Sequence, residues 1–323
     1  MRFSRRQFVL GTLAGLAAPA LVPQSAFAAD KLNVVTTTGM IADTVRRIGG
    51  DAVEVLGLMG PGVDPHGYRQ TRTDIVAMTR ADIVFWHGLY LEAQMEDFFH
   101  KLGKRGSVVA VTDQLPHELL RGHDDYDDKF DPHVWMDPNL WVLIADRVRD
   151  ALIAKRPEGR EMFEANAAEF VKDLRLLAAY ADRTLATVNA ESRVLLTAHD
   201  AFGYFGSAYD FEVLGIQGIS TNSEAGLNRI SVLVDMLVTR KIGAVFVESS
   251  VSDRSMRAVI EGAAAKGHDV KIGGELFSDA MGAEGTYEGT YVGMLDHNVT
   301  VIASALGGEA PARGLNGRLS AGS

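Results

Sequence analysis

The segment Glu158–Asn189, EGREMFEANAAEFVKDLRLLAAYADRTLATVN, decides the architecture. It has no internal proline, and Gly159 stands only at its start. Phe163, Ala167, Phe170, Leu174, Leu177, Ala181 and Val188 recur at three- and four-residue steps, with Leu185 beside the last. That spacing marks one buried stripe on a helix. At 1.5 Å per residue, such a helix runs about 48 Å, longer than one lobe of a protein this size. On its N-terminal side, strand-like runs (Lys31–Thr37, Val53–Leu58, Ile83–Trp86, Val108–Val111) alternate with helical ones (Met40–Ile48, Asp74–Thr79, Met95–Leu102). Asp137–Lys155 closes that half as a helix, with Asp137 as N-cap and Pro138 at the first helical position. On the C-terminal side, strands are expected at Arg193–Thr197, Glu212–Ile216, Ala244–Val247 and Val270–Ile272. Helices are expected there at Ala201–Tyr209, Leu227–Thr239, Ser255–Lys266 and Gly289–Leu306. Alternation of this kind implies parallel sheets covered by helices. The expected fold is α/β, two βα lobes joined by a single long rigid helix, with a ligand site in the cleft between them.

The chain divides accordingly into residues 1–28, a first lobe (29–156), the connecting helix (157–189), a second lobe (190–310) and a tail (311–323) expected to fray. Residues 1–28 read as a cleaved export signal. Arg2, Arg5 and Arg6 precede the apolar run Phe8–Val22, which is too short and too broken by Pro19 to span a bilayer, and Ala26-Phe27-Ala28 offers a cleavage site. Ser4-Arg5-Arg6-Gln7-Phe8 resembles the twin-arginine signal, against the plainer reading of a general secretion signal. The whole chain is acidic: 32 Lys+Arg face 42 Asp+Glu, a formal charge of -10, and removing residues 1–28 with their three arginines and no acid makes it more so, about -13. Without basic clusters, nucleic acid is set aside as a partner. The absence of cysteine removes disulfides, thiolate ligands, a cysteine nucleophile and a lipid-bearing cysteine. The expectation is therefore a soluble periplasmic protein with no lipid anchor, whose soft-metal chemistry falls to histidine and carboxylate.

Nine histidines are present, and three stand at strand or helix ends beside a carboxylate or proline. His66 lies in Asp64-Pro65-His66, His133 in Asp131-Pro132-His133, and His199 in His199-Asp200 at the end of a strand. Asp279 follows the last strand of the second lobe in Leu276-Phe277-Ser278-Asp279. Ligands bind beyond the carboxyl ends of strands in open α/β sheets, so two residues from each lobe can converge on one point. A lone histidine at a turn is ordinarily a cap or a surface residue. Two Asp-Pro-His runs weigh against that reading, because proline stiffens the loop that presents each ring. Three imidazoles and one carboxylate suit zinc, and would serve manganese if the carboxylate bound through both oxygens.

VDPHGYRQTRTDI (Val63–Ile75), DPHVWMDP (Asp131–Pro138), TAHDAFGYF (Thr197–Phe205) and ELFSDAMG (Glu275–Gly282) together resemble the zinc/manganese-specific solute-binding proteins of bacterial ABC importers. The likeness covers essentially the whole chain after residue 28. It implies that His66, His133, His199 and Asp279 bind Zn2+ or Mn2+ as transported cargo. It also implies an ABC permease of the inner membrane as partner, with a periplasmic metallochaperone a further candidate, and a monomeric protein that is not an enzyme. Two departures bear on the metal. The long His-rich loop of many zinc-specific members is replaced by a short acidic segment, and His199 stands where strongly manganese-selective members typically carry Glu. The third nitrogen ligand favours zinc. His123 and Asp124 read either as an accessory metal-capturing lid or as a solvated acidic turn. Glu248 reads as a group that orients an imidazole, or as one that faces solvent. Trp86, Trp135 and Trp141 are assigned to core packing. The alternatives are a metal-dependent hydrolase, which would need an open coordination position for water, and a carrier of an organic metal complex.

Overall fold

The computed structural model describes residues 30–123 and 126–320. The export-signal reading of residues 1–28 and the assignment of Asp124 fall outside these described residues. In chain order the first lobe contains β1 (Leu32–Thr36), α1 (Gly39–Gly49), β2 (Val53–Gly57), α2 (Arg72–Arg80), β3 (Ile83–Trp86), α3 (Glu96–Gly103), β4 (Val108–Ala110), β5 (Gly122–His123), β6 (Tyr126–Phe130) and α4 (Pro138–Lys155). The long helix is α5 (Arg160–Leu185). The second lobe follows with β7 (Val194–Thr197), α6 (Gly203–Tyr209), β8 (Glu212–Gly215), α7 (Leu227–Arg240), β9 (Ala244–Glu248), α8 (Arg254–Ala265), β10 (Lys271–Leu276) and α9 (Tyr291–Ala305).

The first-lobe sheet runs β2-β1-β3-β4 and is parallel throughout, with Val34 opposite both Val55 and Ile83. In the second lobe, β7 pairs parallel with β8, and β9 with β10. The apolar runs IVFW and VLLT in β3 and β7 are buried at every position, as expected of strands covered on both faces. Parallel pairing points β1 to β4 the same way, and likewise β7 with β8 and β9 with β10. The carboxyl ends of β2, β3, β7, β9 and β10 therefore open toward the cleft. The short antiparallel hairpin β5–β6 was not expected from the sequence, where the acidic segment read as a turn or lid.

The long helix is shorter than its 32-residue sequence pattern, 26 residues or about 39 Å. A 3-10 turn over Pro157–Gly159 precedes it. At its other end Thr187 Oγ1 donates to the Thr184 carbonyl at 2.6 Å, and the Arg193 guanidinium takes the carbonyls of Val188 and Ala186. These contacts satisfy groups that a continuing helix would have used. Its buried stripe (Phe163, Ala167, Phe170, Leu174, Leu177, Ala181, Leu185) packs against α1, α4 and α9. The core built on that stripe is continuous through both lobes, from Val34 and Ile41 to Phe205 and Leu295. Two smaller clusters cover the outer faces, one around Trp86 and Phe99, the other around Leu237 and Val245. The strut is therefore the shared floor of both lobes, not a bar between two separate cores. Trp141 shows the result: its ring stacks on Tyr291 of α9 at 5.0 Å and its Nε1 donates to Thr44 of α1.

The tail does not fray over its described residues. Leu319 is fully buried, Ser320 N–H donates to Glu288 Oε1 and Leu315 N–H to Asp296 Oδ1. Gly314, at φ +68, lies so close to the Asp296 carboxylate that a Cβ there would come within 2.3 Å of it. A segment poor in apolar residues is held by hydrogen bonds to buried carboxylates of α9 and the loop before it, which composition does not reveal.

Phe170 is fully buried on the strut, whereas Leu176 on the same helix is 54% exposed. Phe170→Ala should lower the unfolding free energy of metal-free protein by about 3–5 kcal/mol in urea denaturation. Leu176→Ala should cost less than about 1 kcal/mol.

Candidate metal centre

Four loops at strand ends deliver His66, His133, His199 and Asp279 to one point. Each of the four offers an atom within 4.8 Å of the others, and all four residues are buried. His66 Nε2 lies 3.3 Å from His133 Nε2 and 3.9 Å from Asp279 Oδ2. Asp279 Oδ1 is 3.4 Å from His133 Nε2, and Oδ2 is 3.1 Å from His199 Nε2. A tetrahedral ion with bonds of about 2.0–2.1 Å separates its ligand atoms by roughly 3.3 Å. The spacing is thus that of a shell around a small cation. His199 Nε2 and both Asp279 oxygens are buried and make no well-aligned hydrogen bond, although buried polar atoms are nearly always paired.

The loops are fixed from behind. In Asp131-Pro132-His133, Asp131 Oδ1 accepts from the His133 backbone N–H at 2.9 Å and faces its ring Nδ1 at 2.6 Å. Glu248, at the end of β9, treats His199 alike: Oε1 accepts from the backbone N–H at 2.9 Å and Oε2 faces Nδ1 at 2.5 Å. A proton held at Nδ1 leaves Nε2 of each ring free to point its lone pair inward. Asp64 Oδ1 accepts the His66 backbone N–H at 2.8 Å. The Asp279 loop is pinned by Asn298 of α9, whose side chain accepts from Phe277 N–H and donates to the Phe277 carbonyl. Trp135 Nε1 reaches across from the first lobe to the Ser278 carbonyl at 2.7 Å.

Several of these supports are not apparent in the sequence. His87 is fully buried, packs edge-on against Trp135 at 5.0 Å, and its Nε2 donates to the Pro132 carbonyl at 2.7 Å. Its own N–H goes to the buried carboxylate of Glu92. The turn that follows needs Gly88 (φ +91), where a Cβ would meet Thr112 Oγ1 at 2.7 Å, and it carries Leu89 and Tyr90 at positive φ as well. Tyr204 of the second lobe donates to the Asp131 carbonyl at 2.9 Å. The Gly-Leu-Tyr run and the tyrosine of the Phe-Gly-Tyr-Phe motif were the signals available; neither is specific alone. His123 lies in β5, and among the described residues the cluster consists of the four named above. Trp135 packs in the core and also walls the site, its ring 5.1 Å from that of His133.

Burial pulls His66 down to about 3, so that ring is neutral across the physiological range. Burial also opposes charge on His133, but the Asp131 carboxylate at its Nδ1, together with Asp279, outweighs it and holds the ring up at about 9. His199 is likewise raised well above its ordinary value despite burial, by Asp279 and Glu248. The reciprocal effect holds Asp279 well below the usual carboxylate range against its burial.

The family model described as zinc-uptake complex component A, periplasmic, matches residues 34–305. The manganese-binding lipoprotein MntA of Bacillus subtilis is 46% identical over 276 residues, covering 85% of this chain and 90% of that relative. The zinc-binding protein TroA of Treponema pallidum is 44% identical over 297 residues, covering 92% and 96%. The solved structure of TroA, described as a periplasmic zinc-binding protein, superposes with a TM-score of 0.83 at 45% identity, covering 85% of this chain and 99% of that one. The manganese ABC transporter substrate-binding lipoprotein PsaA of Streptococcus pneumoniae is 31% identical over 300 residues, 91% of this chain and 95% of its own. MntA and PsaA are lipoproteins by name, which overturns the expectation of an exported protein without a lipid anchor. That expectation rested on counting cysteines; attachment to a membrane is decided at the processed start of a chain, outside the described residues.

Asp131, Glu248 and Asp279 raise His133 and His199 above the ordinary histidine value, so an incoming divalent ion is expected to displace protons from both rings. Calorimetry in buffers of different ionisation enthalpy should show about two protons released per ion at pH 7, and affinity should fall about a hundredfold from pH 7 to pH 6. Glu248→Gln should reduce the release toward one proton. In the metal-free protein the sign is opposite: stability contributed by His133, full below its ordinary value of 6.5, is lost as pH rises through about 9. A proton release near zero would contradict this protonation scheme.

Proposed function

This chain belongs to the family of periplasmic zinc-uptake components, and on that premise we propose that His66, His133, His199 and Asp279 hold a single divalent ion between the lobes as cargo. The chain is a metal-binding solute-binding protein of an ABC importer and not an enzyme, and such proteins work with a membrane permease. The observation that carries the ligand assignment is the buried Asp279 carboxylate, its two oxygens without aligned hydrogen bonds and 3.1 and 3.4 Å from imidazole nitrogens of different lobes. A cation at that point satisfies all four groups at once.

Zinc is preferred over manganese. Three nitrogen donors and one carboxylate at near-tetrahedral spacing suit a borderline ion better than one that seeks oxygen, and zinc stands above manganese in intrinsic affinity. Each lobe supplies two ligands from one chain, which supports a monomeric carrier. Burial of the site leaves room for a metallochaperone as a loading partner. Ser4-Arg5-Arg6-Gln7-Phe8 supports export through the twin-arginine route. Blocking that translocase should leave the precursor uncleaved inside the cell, whereas continued processing would favour general secretion.

Metal-stripped protein titrated with Zn2+ should show one tight site. Equilibration with equal Zn2+ and Mn2+, followed by elemental analysis of the protein, should recover mainly zinc. His133→Ala should weaken binding at least a hundredfold. Wild-type protein that takes up neither ion would refute the carrier reading, and a harmless His133→Ala would refute the ligand set.

A further inference from the structure

Of the four ligand side chains only that of His66 keeps any contact with solvent, 3% of its surface; the other three are at zero. His66 also borders a cavity of about 260 Å³ that lies between the lobes, with Tyr90 and Pro132 on one wall and Ile219, Ser220 and Asn222 on the other. A divalent ion with about six waters, each occupying about 30 Å³, fits in that volume. That cavity offers the ion a way to and from the site past His66.

The cross-lobe hydrogen bonds are distributed unevenly about this path. Behind the site, the segment carrying His133 is tied to the second lobe by three buried bonds. Trp135 Nε1 donates to the Ser278 carbonyl, Tyr204 OH to the Asp131 carbonyl, and Tyr291 OH to the Trp135 carbonyl. At the mouth, the lobes meet through one turn. Thr221 Oγ1 donates to Asp64 Oδ2, while Asp64 Oδ1 holds the His66 backbone N–H. Asn222 Nδ2 donates to the His66 carbonyl at 3.2 Å, and its amide is steadied by Ser220 Oγ at 3.1 Å. Both polar groups of the His66 backbone are thus governed by residues 220–222 of the opposite lobe. His133 and His199 have carboxylates against their rings from within their own lobes; among the described residues the His66 ring has none.

We infer that Thr221 and Asn222 are positioning residues for His66, and that the clasp they form across the cavity mouth sets the rate at which the ion leaves. The inference rests on the carrier reading above. The lobes can part at the mouth by breaking this clasp while the buried bonds behind His133 persist. His66, the one ligand ring without a carboxylate behind it, is then the first to let go.

The test uses the Zn2+-loaded chain mixed with excess chelator, with release followed by stopped-flow. Thr221→Val and Asn222→Ala should each speed release about tenfold, the loss expected for a hydrogen bond of this kind, and the pair together more. Association should change less than threefold, and the melting temperature of the metal-free protein should hold within a few degrees. Thr221→Ser, which keeps the hydroxyl, should restore the wild-type rate. Tyr180→Phe is the comparator: it removes a buried hydrogen bond from the strut to Thr300 of α9, and should leave release unchanged. Wild-type release from the double variant, or equal acceleration by Tyr180→Phe, would overturn the clasp. Wild-type protein that binds no Zn2+ would instead overturn the carrier reading on which it stands.

Discussion

Electron-pair donors do not gather at one buried point without something to hold them there. Three imidazole nitrogens and a carboxylate aimed at a common centre repel one another unless a cation or protons lie among them, and desolvation sharpens the cost. Everything around the centre is arranged against that repulsion. Asp131 and Glu248 brace two rings, Asp64 braces the third through its backbone, and Asn298 and Trp135 hold the loop that bears the carboxylate. Those braces in turn stand on a core that runs unbroken through both lobes, because the strut contributes its apolar stripe to each. The charges also balance. With two protons displaced by one divalent ion, as the raised His133 and His199 lead one to expect, the buried site would keep nearly the same net charge full or empty.

This balance explains why the residues near the centre matter as much as those facing it. Glu248 leaves its strand where Ala-Val-Phe-Val ends, and its reach to His199 spans 49 positions in sequence. Asp131 sits two residues from its histidine, where the intervening proline bends the chain so that one carboxylate oxygen meets both backbone and ring. Local chemistry accounts for the second arrangement, and only the packing of two strands accounts for the first.

Legibility in the sequence follows the same division. The alternation of strands and helices, the strut and the Asp137-Pro138 helix start depend on nearby residues, and their positions are recovered to within a few residues. The strut is the instructive exception, shortened because Thr187 and Arg193 take carbonyls that an unbroken apolar stripe would have left to the helix. The Asp-Pro-His pair made two of the four clustered residues visible, since proline and carboxylate advertise a stiff loop. His87, at the end of a strand, reads as a residue near the cleft, but its role and Glu92 stayed hidden, since the ring's partner is a backbone carbonyl 45 residues away and the turn joining the two depends on positive φ at Gly88, Leu89 and Tyr90. The packed tail stayed hidden because buried carboxylates, not apolar side chains, hold it. Membrane attachment was misjudged from composition, which says nothing of how the start of a chain is processed.

The division of the ligands between lobes has a mechanical consequence. His66 and His133 come from one lobe and His199 and Asp279 from the other, so each half alone is a weak bidentate site, and strong capture depends on the high effective concentration of one half near the other. A bound ion is then a further tie across the cleft, added to the buried bonds behind it and the clasp at its mouth. With a shared core beneath both lobes, loading is expected to change their freedom to move more than their separation. On that expectation full and empty carriers would differ less in outline than in compliance, the property a receptor would then have to sense.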